Sequence, residues 1–185
     1  IQEAALAIAA AKKPVLYVGG GIVNAGAEAQ LIELAEETRI PVVTTLLAKG
    51  AFPDSHTLSL QMPGMHGSKF ANWALHRSDL LITVGARFDD RVTGKLDQFA
   101  PGAKVIHMDI DPAEISKNRT ADIPIVGELR DVLPALTKAL AKLRESGTSM
   151  NHRAWLEQVE EWKFNYPYRH RPPGAPNPES VEHGL

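Results

Sequence analysis

The sequence predicts a three-layer α/β/α sandwich built on a mainly parallel sheet of about six strands. Two observations carry this prediction. Short runs of apolar, often β-branched residues alternate along the 185-residue chain with longer stretches whose apolar residues recur at helical spacing. Segments rich in glycine or aspartate directly follow several of the short runs, as is typical where ligands bind beyond the carboxyl ends of parallel strands.

The first part of the chain has the pattern of helices that feed strands. Apolar spacing predicts a helix over residues 1–12, which Pro14 ends before a strand at residues 15–18. A second helix is predicted over residues 27–38, and a second strand follows at residues 42–45. Strands joined through helices pair in parallel by right-handed crossovers.

The pattern continues through the middle of the chain. A helical face over residues 70–75 precedes a strand at residues 80–84. Two further strands are predicted at residues 105–109 and 123–126. The last core helix is expected to begin at Asp131 as its N-cap.

The character of the chain changes after Gly147. We expect residues 1–147 to form one domain and residues 148–185 to form an amphipathic helix and a proline-rich linker toward a C-terminal domain. Trp155 and Trp162 lie on one face of that helix. The helix either packs on the edge of the same domain or forms a docking surface for another domain.

Composition excludes several classes of protein. The formal net charge of −2 and the absence of a Lys- and Arg-rich segment argue against nucleic acid as a partner. The chain has no cysteine, which excludes disulfides and Cys-ligated zinc, and we recognise no metal-binding cluster. No apolar run approaches the roughly 20 residues that span a bilayer, so we expect a cytoplasmic protein without a membrane segment. Because Ile1 stands where a start Met would be, we expect a piece of a longer protein.

Two segments after strands are candidates for binding an anionic ligand. Residues 19–21 are three glycines whose backbone amides could face a phosphate, or which could only let a strand and a helix approach closely. Residues 85–94 read GARFDDRVTG, in which Arg87 and Arg91 stand four positions apart. Two guanidinium groups on one side suit a diphosphate or a carboxylate, and the alternative is a surface cluster of ion pairs.

Three further segments carry candidate ligand-binding side chains. Of Asp109 and Asp111, we expect one to accept the hydroxyl groups of an adenosine ribose and the other to cap a short helix at Pro112. Glu128 either contacts an adenine or ribose edge or caps the next helix. Residues 62–67 combine flexibility with two methionines, whose thioethers fit a flat ring system.

Six segments in order closely resemble the central domain of the large catalytic subunit of the acetolactate synthase family, and the likeness covers residues 1–143. They are VGGG at 18–21, PVVTTL at 41–46, AFPDSH at 51–56, MPGMHG at 62–67, GARFDDRVTG at 85–94 and HMDIDPAEI at 107–115. The family has a Rossmann-like central domain.

The resemblance implies a thiamine-diphosphate enzyme in which the central domain holds FAD. The N- and C-terminal domains of the same chain hold thiamine diphosphate and magnesium. The family decarboxylates pyruvate and transfers the two-carbon unit to a second 2-ketoacid, pyruvate or 2-ketobutyrate, in branched-chain amino-acid biosynthesis. It works as homodimers or larger assemblies with a small regulatory subunit.

The resemblance also implies which residues hold the flavin. They are Gly19, Gly20, Gly21, Thr45, Leu46, Met65, His66, Gly85, Ala86, Arg87, Asp89, Val92, Asp109, Ile110 and Glu128. Residues 45–46 would contact the ribityl chain, residues 65–66 would lie toward the isoalloxazine, and residues 109–110 would hold the adenosine end. Glu128 stands where the family often has Asp. Arg91 is the candidate catalytic residue, facing the channel near the second substrate.

The family's other catalytic motifs do not occur in this sequence. The glutamate that activates thiamine belongs to the preceding domain, and the GDG-type motif for magnesium and diphosphate belongs to the following one. We therefore expect the isolated chain to be inactive. Two alternatives stay open: another FAD-containing thiamine-diphosphate enzyme, such as a glyoxylate carboligase, and a non-enzymatic nucleotide-binding module. A third, the NAD-dependent deacylases, is disfavoured because those proteins usually carry a four-Cys zinc site.

Overall fold

A computed structural model describes residues 1–88 and 99–167. Within these residues five strands form one sheet in the order β2-β1-β3-β4-β5, and every neighbouring pair is parallel. The strands are β1 (Pro14–Val18), β2 (Val42–Thr44), β3 (Leu80–Val84), β4 (Lys104–Asp109) and β5 (Ile123–Val126). Strands β1, β2 and β3 are buried along their whole length, as expected where helices cover both faces of a sheet.

Helices cover the two faces in separate layers. They are α1 (Gln2–Ala10), α2 (Gly21–Ala25), α3 (Glu28–Thr38), α4 (Lys69–Arg77), α5 (Leu129–Glu145) and α6 (Arg153–Asn165), with a 3-10 turn at Leu46–Ala48. Leu16 and Val18 pack in the core with α1, α2, α3 and α5. Val15 and Tyr17 pack on the opposite face with α4 and α6. The predicted α/β/α sandwich is confirmed.

A short extended segment accounts for the approximate sixth strand. Next to β2, the Val42 N–H donates to the Leu58 carbonyl and the Leu60 N–H donates to the Val42 carbonyl, both at 2.8 Å. Only one parallel bridge, between Val42 and Ser59, joins this segment to the sheet. The sheet thus has five full strands and one short extended segment beside β2, close to the predicted number of about six.

Two predicted helix boundaries are wrong. Helix α5 begins at Leu129 with Glu128 as its N-cap, so Asp131 lies in the first turn and does not cap the helix. The reason is that Leu129 is buried and anchors the first turn in the core. The short helix expected at Pro112 is a series of turns over residues 112–116.

Helix α6 packs onto the same unit as the sheet, which is the first of the two arrangements left open by the sequence. Trp155, Val159 and Trp162 are buried in the core layer that also holds α4. The Trp155 indole N–H donates to the Pro14 carbonyl at 3.1 Å, and the Trp162 ring lies edge-on to Trp73 at 5.8 Å. The division of the chain at residue 147 stays a prediction, and the linker from residue 168 onward lies outside the described residues.

Polar contacts tie the amino-terminal ends of β1 and β3 together. The Asp79 carboxylate accepts hydrogen bonds from the backbone N–H groups of Lys12 and Lys13 at 2.8 and 2.9 Å. This contact fixes the loop that leads from α1 into β1. Among the described residues, no helix has the length and apolarity that a membrane crossing requires.

Two buried histidines couple the fold to pH. His107 on β4 is 1% exposed, and His152 just before α6 is 4% exposed. Burial lowers the pKa of both side chains below the ordinary value of 6.5. Asp109 opposes the lowering of the pKa at His107, and Asp79 opposes it at His152.

We expect the protein to lose stability as the pH falls from about 7 to about 5. The unfolded chain binds protons on these imidazoles near its ordinary pKa, whereas the folded chain binds them only at lower pH, so acid favours unfolding. Urea unfolding at a series of pH values measures how the free energy of unfolding changes with pH. This slope reaches about 1.4 kcal/mol per pH unit for each proton that the unfolded chain binds and the folded chain does not. His152→Gln should reduce the slope, whereas the control His76→Gln, at an exposed position, should leave it unchanged. Equal slopes in wild type and His152→Gln would contradict this assignment.

Candidate functional site

The order of the strands places a crevice between β1 and β3. From β1 the chain moves first to β2 on one side and later to β3 on the other. In open parallel sheets ligands bind where the strand order reverses in this way, beyond the carboxyl ends. The turns that follow β1 and β3 pack against each other there. The Gly19 N–H donates to the Val84 carbonyl at 2.9 Å, and the Gly21 N–H donates to the Gly85 carbonyl at 3.0 Å.

The contact between the two turns leaves no room for side chains. A Cβ atom on Gly19 would overlap the Gly85 carbonyl oxygen and the Ala86 side chain, and one on Gly21 would lie 2.8 Å from the Gly85 Cα. Gly85 has a φ of +55°, a conformation that L side chains rarely adopt. Gly19 and Gly21 thus let the end of β3 approach the turn after β1 and the start of α2 closely. This close approach is one of the two alternatives that the sequence left open.

Like Gly19 and Gly21, Gly20 borders a cleft of about 960 Å³ at the carboxyl ends of the strands, but a Cβ atom there would have more space than at its neighbours. The nearest atoms to a Cβ atom on Gly20 would belong to Leu47, the first of them at 3.1 Å. The volume of the cleft falls in the range of small-molecule and cofactor sites.

The cleft brings together every predicted flavin-site residue that the structure describes. These are Gly19, Gly20, Gly21, Thr45, Leu46, Met65, His66, Gly85, Ala86, Arg87, Asp109, Ile110 and Glu128. Their roles toward a ligand stay predictions. Asp89, Arg91 and Val92 lie outside the described residues.

Sequence reasoning missed other residues that line the cleft. They are Tyr17, Asn24, Ala25, Leu47, Glu114 and Leu129. Tyr17 carried no signal because it stands inside a buried apolar strand, where its ring stacks on Phe88 with centroids 5.9 Å apart. Leu47 could have been found, since it directly follows a predicted contact residue.

One side of the cleft carries exposed apolar side chains. Leu46 and Leu47 are each 71% exposed, and Met65 is 91% exposed. The first two follow β2 in the 3-10 turn, and the third comes from the loop before α4. Apolar side chains grouped around a cleft suit a flat apolar ligand or the surface of another domain.

Carboxylates concentrate on the other side of the cleft. Asp109 is the last residue of β4, Asp111 and Glu114 follow it, and Glu128 follows β5. All four side chains belong to residues that line the cleft. The Asp111 N–H donates to Asp109 Oδ1 at 3.0 Å, and the Ala113 N–H donates to Asp111 Oδ1 at 2.9 Å. We expected one aspartate to cap and the other to bind, but each of them accepts a bond from its own turn. Each bond occupies one oxygen of its carboxylate.

Arg87 follows β3 and is the arginine among the described residues that line the cleft. Arg87 stands two residues after Gly85, which puts a cation in the turn that makes the glycine contact. Within residues 1–88 and 99–167, no three His, Asp or Glu side chains group in a way that could hold a metal ion.

Comparison with known proteins identifies relatives of the chain. Residues 1–136 match the family described as the central domain of thiamine pyrophosphate enzymes. The chain is 57% identical over 183 residues to an acetolactate synthase of Mycobacterium bovis, with 98% of the chain covered. It is 55% identical to the acetolactate synthase large subunit of Corynebacterium glutamicum and 51% identical to a probable acetolactate synthase large subunit of Methanocaldococcus jannaschii, with 88% covered in each case.

The relatives are much longer than this chain. It spans 29% of the mycobacterial protein, 24% of the corynebacterial protein and 27% of the methanogen protein. The similarity to the mycobacterial protein continues beyond residue 136, since 183 residues align. The aligned sequence therefore includes residues 153–165, which form helix α6 in this chain.

We expect Gly19→Ala to destabilise the protein by about 1 to 3 kcal/mol, because the added methyl group must push the two turns apart. Urea unfolding measures the change in the free energy of unfolding. Gly102→Ala is the matched control, since a Cβ atom at Gly102 would have no neighbour within 4 Å. Equal stability of the two variants would contradict the packing of the turns described above.

Proposed function

Because the chain belongs to the thiamine pyrophosphate enzyme family as its central domain, we propose that it forms part of the large catalytic subunit of an acetolactate synthase. The support is its identity of 51% to 57% with an acetolactate synthase, an acetolactate synthase large subunit and a probable acetolactate synthase large subunit, from organisms as distant as mycobacteria and a methanogen. The activity belongs to the full-length protein.

In the proposed reaction pyruvate loses carbon dioxide and its two-carbon unit is transferred to a second 2-ketoacid, pyruvate or 2-ketobutyrate. The product enters branched-chain amino-acid biosynthesis. Thiamine diphosphate with magnesium, held by the N- and C-terminal domains, supplies the chemistry that breaks the carbon–carbon bond. The present domain contributes Arg91, which we place beside the second substrate.

FAD is the cofactor that we propose for the cleft. The observation that carries this proposal is the pair of glycine turns at the strand switch, where backbone replaces side chains and a linear dinucleotide can lie close to the sheet. Gly20 and Arg87 would hold the diphosphate, and Asp109 would accept the hydroxyl groups of the adenosine ribose. Leu46 would contact the ribityl chain, and Met65 would lie toward the isoalloxazine ring system. The flavin has a structural role, because the proposed reaction has no net redox step.

The exposed apolar rim has a simple explanation in the proposed assembly. Leu46, Leu47 and Met65 would be covered by the flavin together with the thiamine-binding domains of the same chain. We propose further that the full-length protein acts in the cytoplasm, as a homodimer or a larger assembly with a small regulatory subunit.

In the full-length protein, Gly20→Val should abolish flavin retention, whereas Arg91→Ala should keep the flavin and lower the rate of acetolactate formation. The reason is that a side chain at Gly20 enters the cleft against Leu47, while Arg91 is assigned to the substrate. Flavin absorbance of the purified protein and an acetolactate assay separate the two effects.

Gly102→Val provides the control for a valine placed on the surface of the same domain, since open space surrounds that position. It should retain both flavin and activity. Equal flavin retention in Gly20→Val and Arg91→Ala would overturn the division of roles between these residues.

The 185-residue chain alone should form no acetolactate when supplied with pyruvate, FAD, thiamine diphosphate and magnesium. The family's thiamine-activating glutamate and its GDG-type motif do not occur in this sequence, and a cleft between domains loses part of its wall when one domain stands alone. The full-length protein assayed in parallel shows that the reagents are competent. Measurable turnover by the chain alone would contradict the proposed distribution of catalytic groups.

A further inference from the structure

We infer that Asn72 is the positioning residue of the loop that carries Met65 and His66, two of the residues that line the cleft. The side-chain amide of Asn72 holds both backbone polar groups of Gly64 and thereby fixes the loop beside the cleft. The consequence for flavin binding rests on the proposed function, whereas the fixing of the loop does not.

The loop at residues 62–67 is closed on itself by backbone hydrogen bonds. The Gly67 N–H donates to the Gly64 carbonyl at 3.0 Å, and the Ser68 N–H donates to the Met62 carbonyl at 2.9 Å. The backbone packs so closely here that a Cβ atom on Gly67 would overlap the Met62 carbonyl oxygen. These contacts give the loop its shape, but they do not join its tip to the rest of the domain.

The side chain of Asn72 makes that connection from helix α4. The Gly64 N–H donates to Asn72 Oδ1 at 2.8 Å, and Asn72 Nδ2 donates to the Gly64 carbonyl at 3.0 Å. A side-chain amide carries an acceptor and a donor in one plane, so it can satisfy the N–H and the carbonyl of a single residue together. Neither a carboxylate nor an apolar side chain can form both bonds.

Helix α4 is itself anchored at the end that meets the loop. Ser68 caps the helix, since its Oγ accepts a hydrogen bond from the Ala71 N–H at 3.1 Å. The same hydroxyl group donates to the Leu60 carbonyl at 2.8 Å. Phe70 and Leu75 of α4 are buried in the core. Asn72 therefore ties the loop to an element whose own place is determined by core packing.

The tip of the loop depends on this connection. Met65 is 91% exposed, so packing of its side chain does not determine where it lies beside the cleft. Its place follows from the backbone at Gly64, which Asn72 holds. A ligand that meets a loop already held in place does not have to order it, and affinity rises because that cost is avoided.

Support of the fold does not account for the role of Asn72. The residue is half-buried, and within the described part of the chain its side chain bonds to Gly64 alone. The buried face of α4 is formed by other residues, namely Phe70, Ala71, Ala74 and Leu75. Loss of the Asn72 side chain should therefore release the loop while α4 stays packed.

The first test follows amide hydrogen exchange in the full-length protein prepared without FAD. Asn72→Ala should make exchange at residues 62–68 about tenfold faster or more, because both bonds to Gly64 are lost. Asn72→Asp has nearly the same shape but sets an oxygen against the Gly64 carbonyl, so it should speed exchange by about threefold or more. Because it leaves no cavity, it keeps the test decisive if Asn72→Ala does not fold.

Asn151→Ala is the matched control. Asn151 Oδ1 accepts a hydrogen bond from the Arg153 N–H at 3.0 Å, and the residue lines a different groove. The change thus removes another side-chain amide that bonds to backbone. Exchange at residues 62–68 and the affinity for FAD should both keep their wild-type values.

The second test is a mutant cycle on the affinity of the full-length protein for FAD. Asn72→Ala should raise the dissociation constant about tenfold. In a protein that already carries Met65→Ala and His66→Ala, the same change should raise it about threefold or less, because the side chains that Asn72 positions are gone. A residue that only stabilised the fold would have the same effect in both backgrounds.

The outcomes separate the inference from the proposed function. Unchanged exchange at residues 62–68 in both Asn72 variants would overturn the fixing of the loop, and the positioning role with it. Faster exchange with unchanged affinity, or an equal effect in the two backgrounds, would overturn the positioning role and leave FAD binding intact. Absence of FAD binding by the wild-type protein would overturn the proposed cofactor, and hydrogen exchange would still decide whether Asn72 fixes the loop.

Discussion

The contact between the turns after β1 and β3 is the constraint on which the rest of the site depends. Gly19 lies so close to Gly85 and Ala86 that the two strands end in a shared backbone surface. The Gly85 N–H in turn donates to the Met108 carbonyl at 2.9 Å, so β4 is joined to the same arrangement. Three strand ends are therefore fixed relative to one another before any side chain takes part. Side chains from the rim, such as Leu46 and Glu114, line the cleft together with Tyr17 from within β1.

This constraint explains why the rim has two chemically different sides. Segments after β2 and before α4 can supply apolar side chains, because they lie on one side of the glycine contact. Segments after β4 and β5 supply carboxylates from the other side. Neither group needs to support the fold, since the two core layers are filled by residues elsewhere on the sheet and helices. The side chains on the rim could therefore differ in chemistry without changing how the two core layers pack.

The sequence predicts the strands well because a sheet covered on both faces needs continuous apolar runs, such as residues 80–84. Glycine and aspartate directly after such runs mark residues 19–21, Gly85 and Asp109 as candidates for the cleft. Leu46, Met65 and His66 were predicted through the resemblance to the family instead. The sequence could not predict that Tyr17 lines the cleft, since a buried strand residue carries no local mark of what lies beyond the strand. The start of α5 also escaped prediction. Asp131 has better capping chemistry than Glu128, but burial of Leu129 decides the boundary.

The hydrogen bond from Trp155 to Pro14 joins positions 141 residues apart. During synthesis from the amino terminus, β1 and α4 leave the ribosome long before the helix that covers them. The apolar surface that Trp155, Val159 and Trp162 complete must therefore stay bare until almost the whole described chain has been made. Closing so long a loop is entropically costly and slow. A nascent chain can therefore aggregate through the apolar surface of β1 and α4 until helix α6 packs over it.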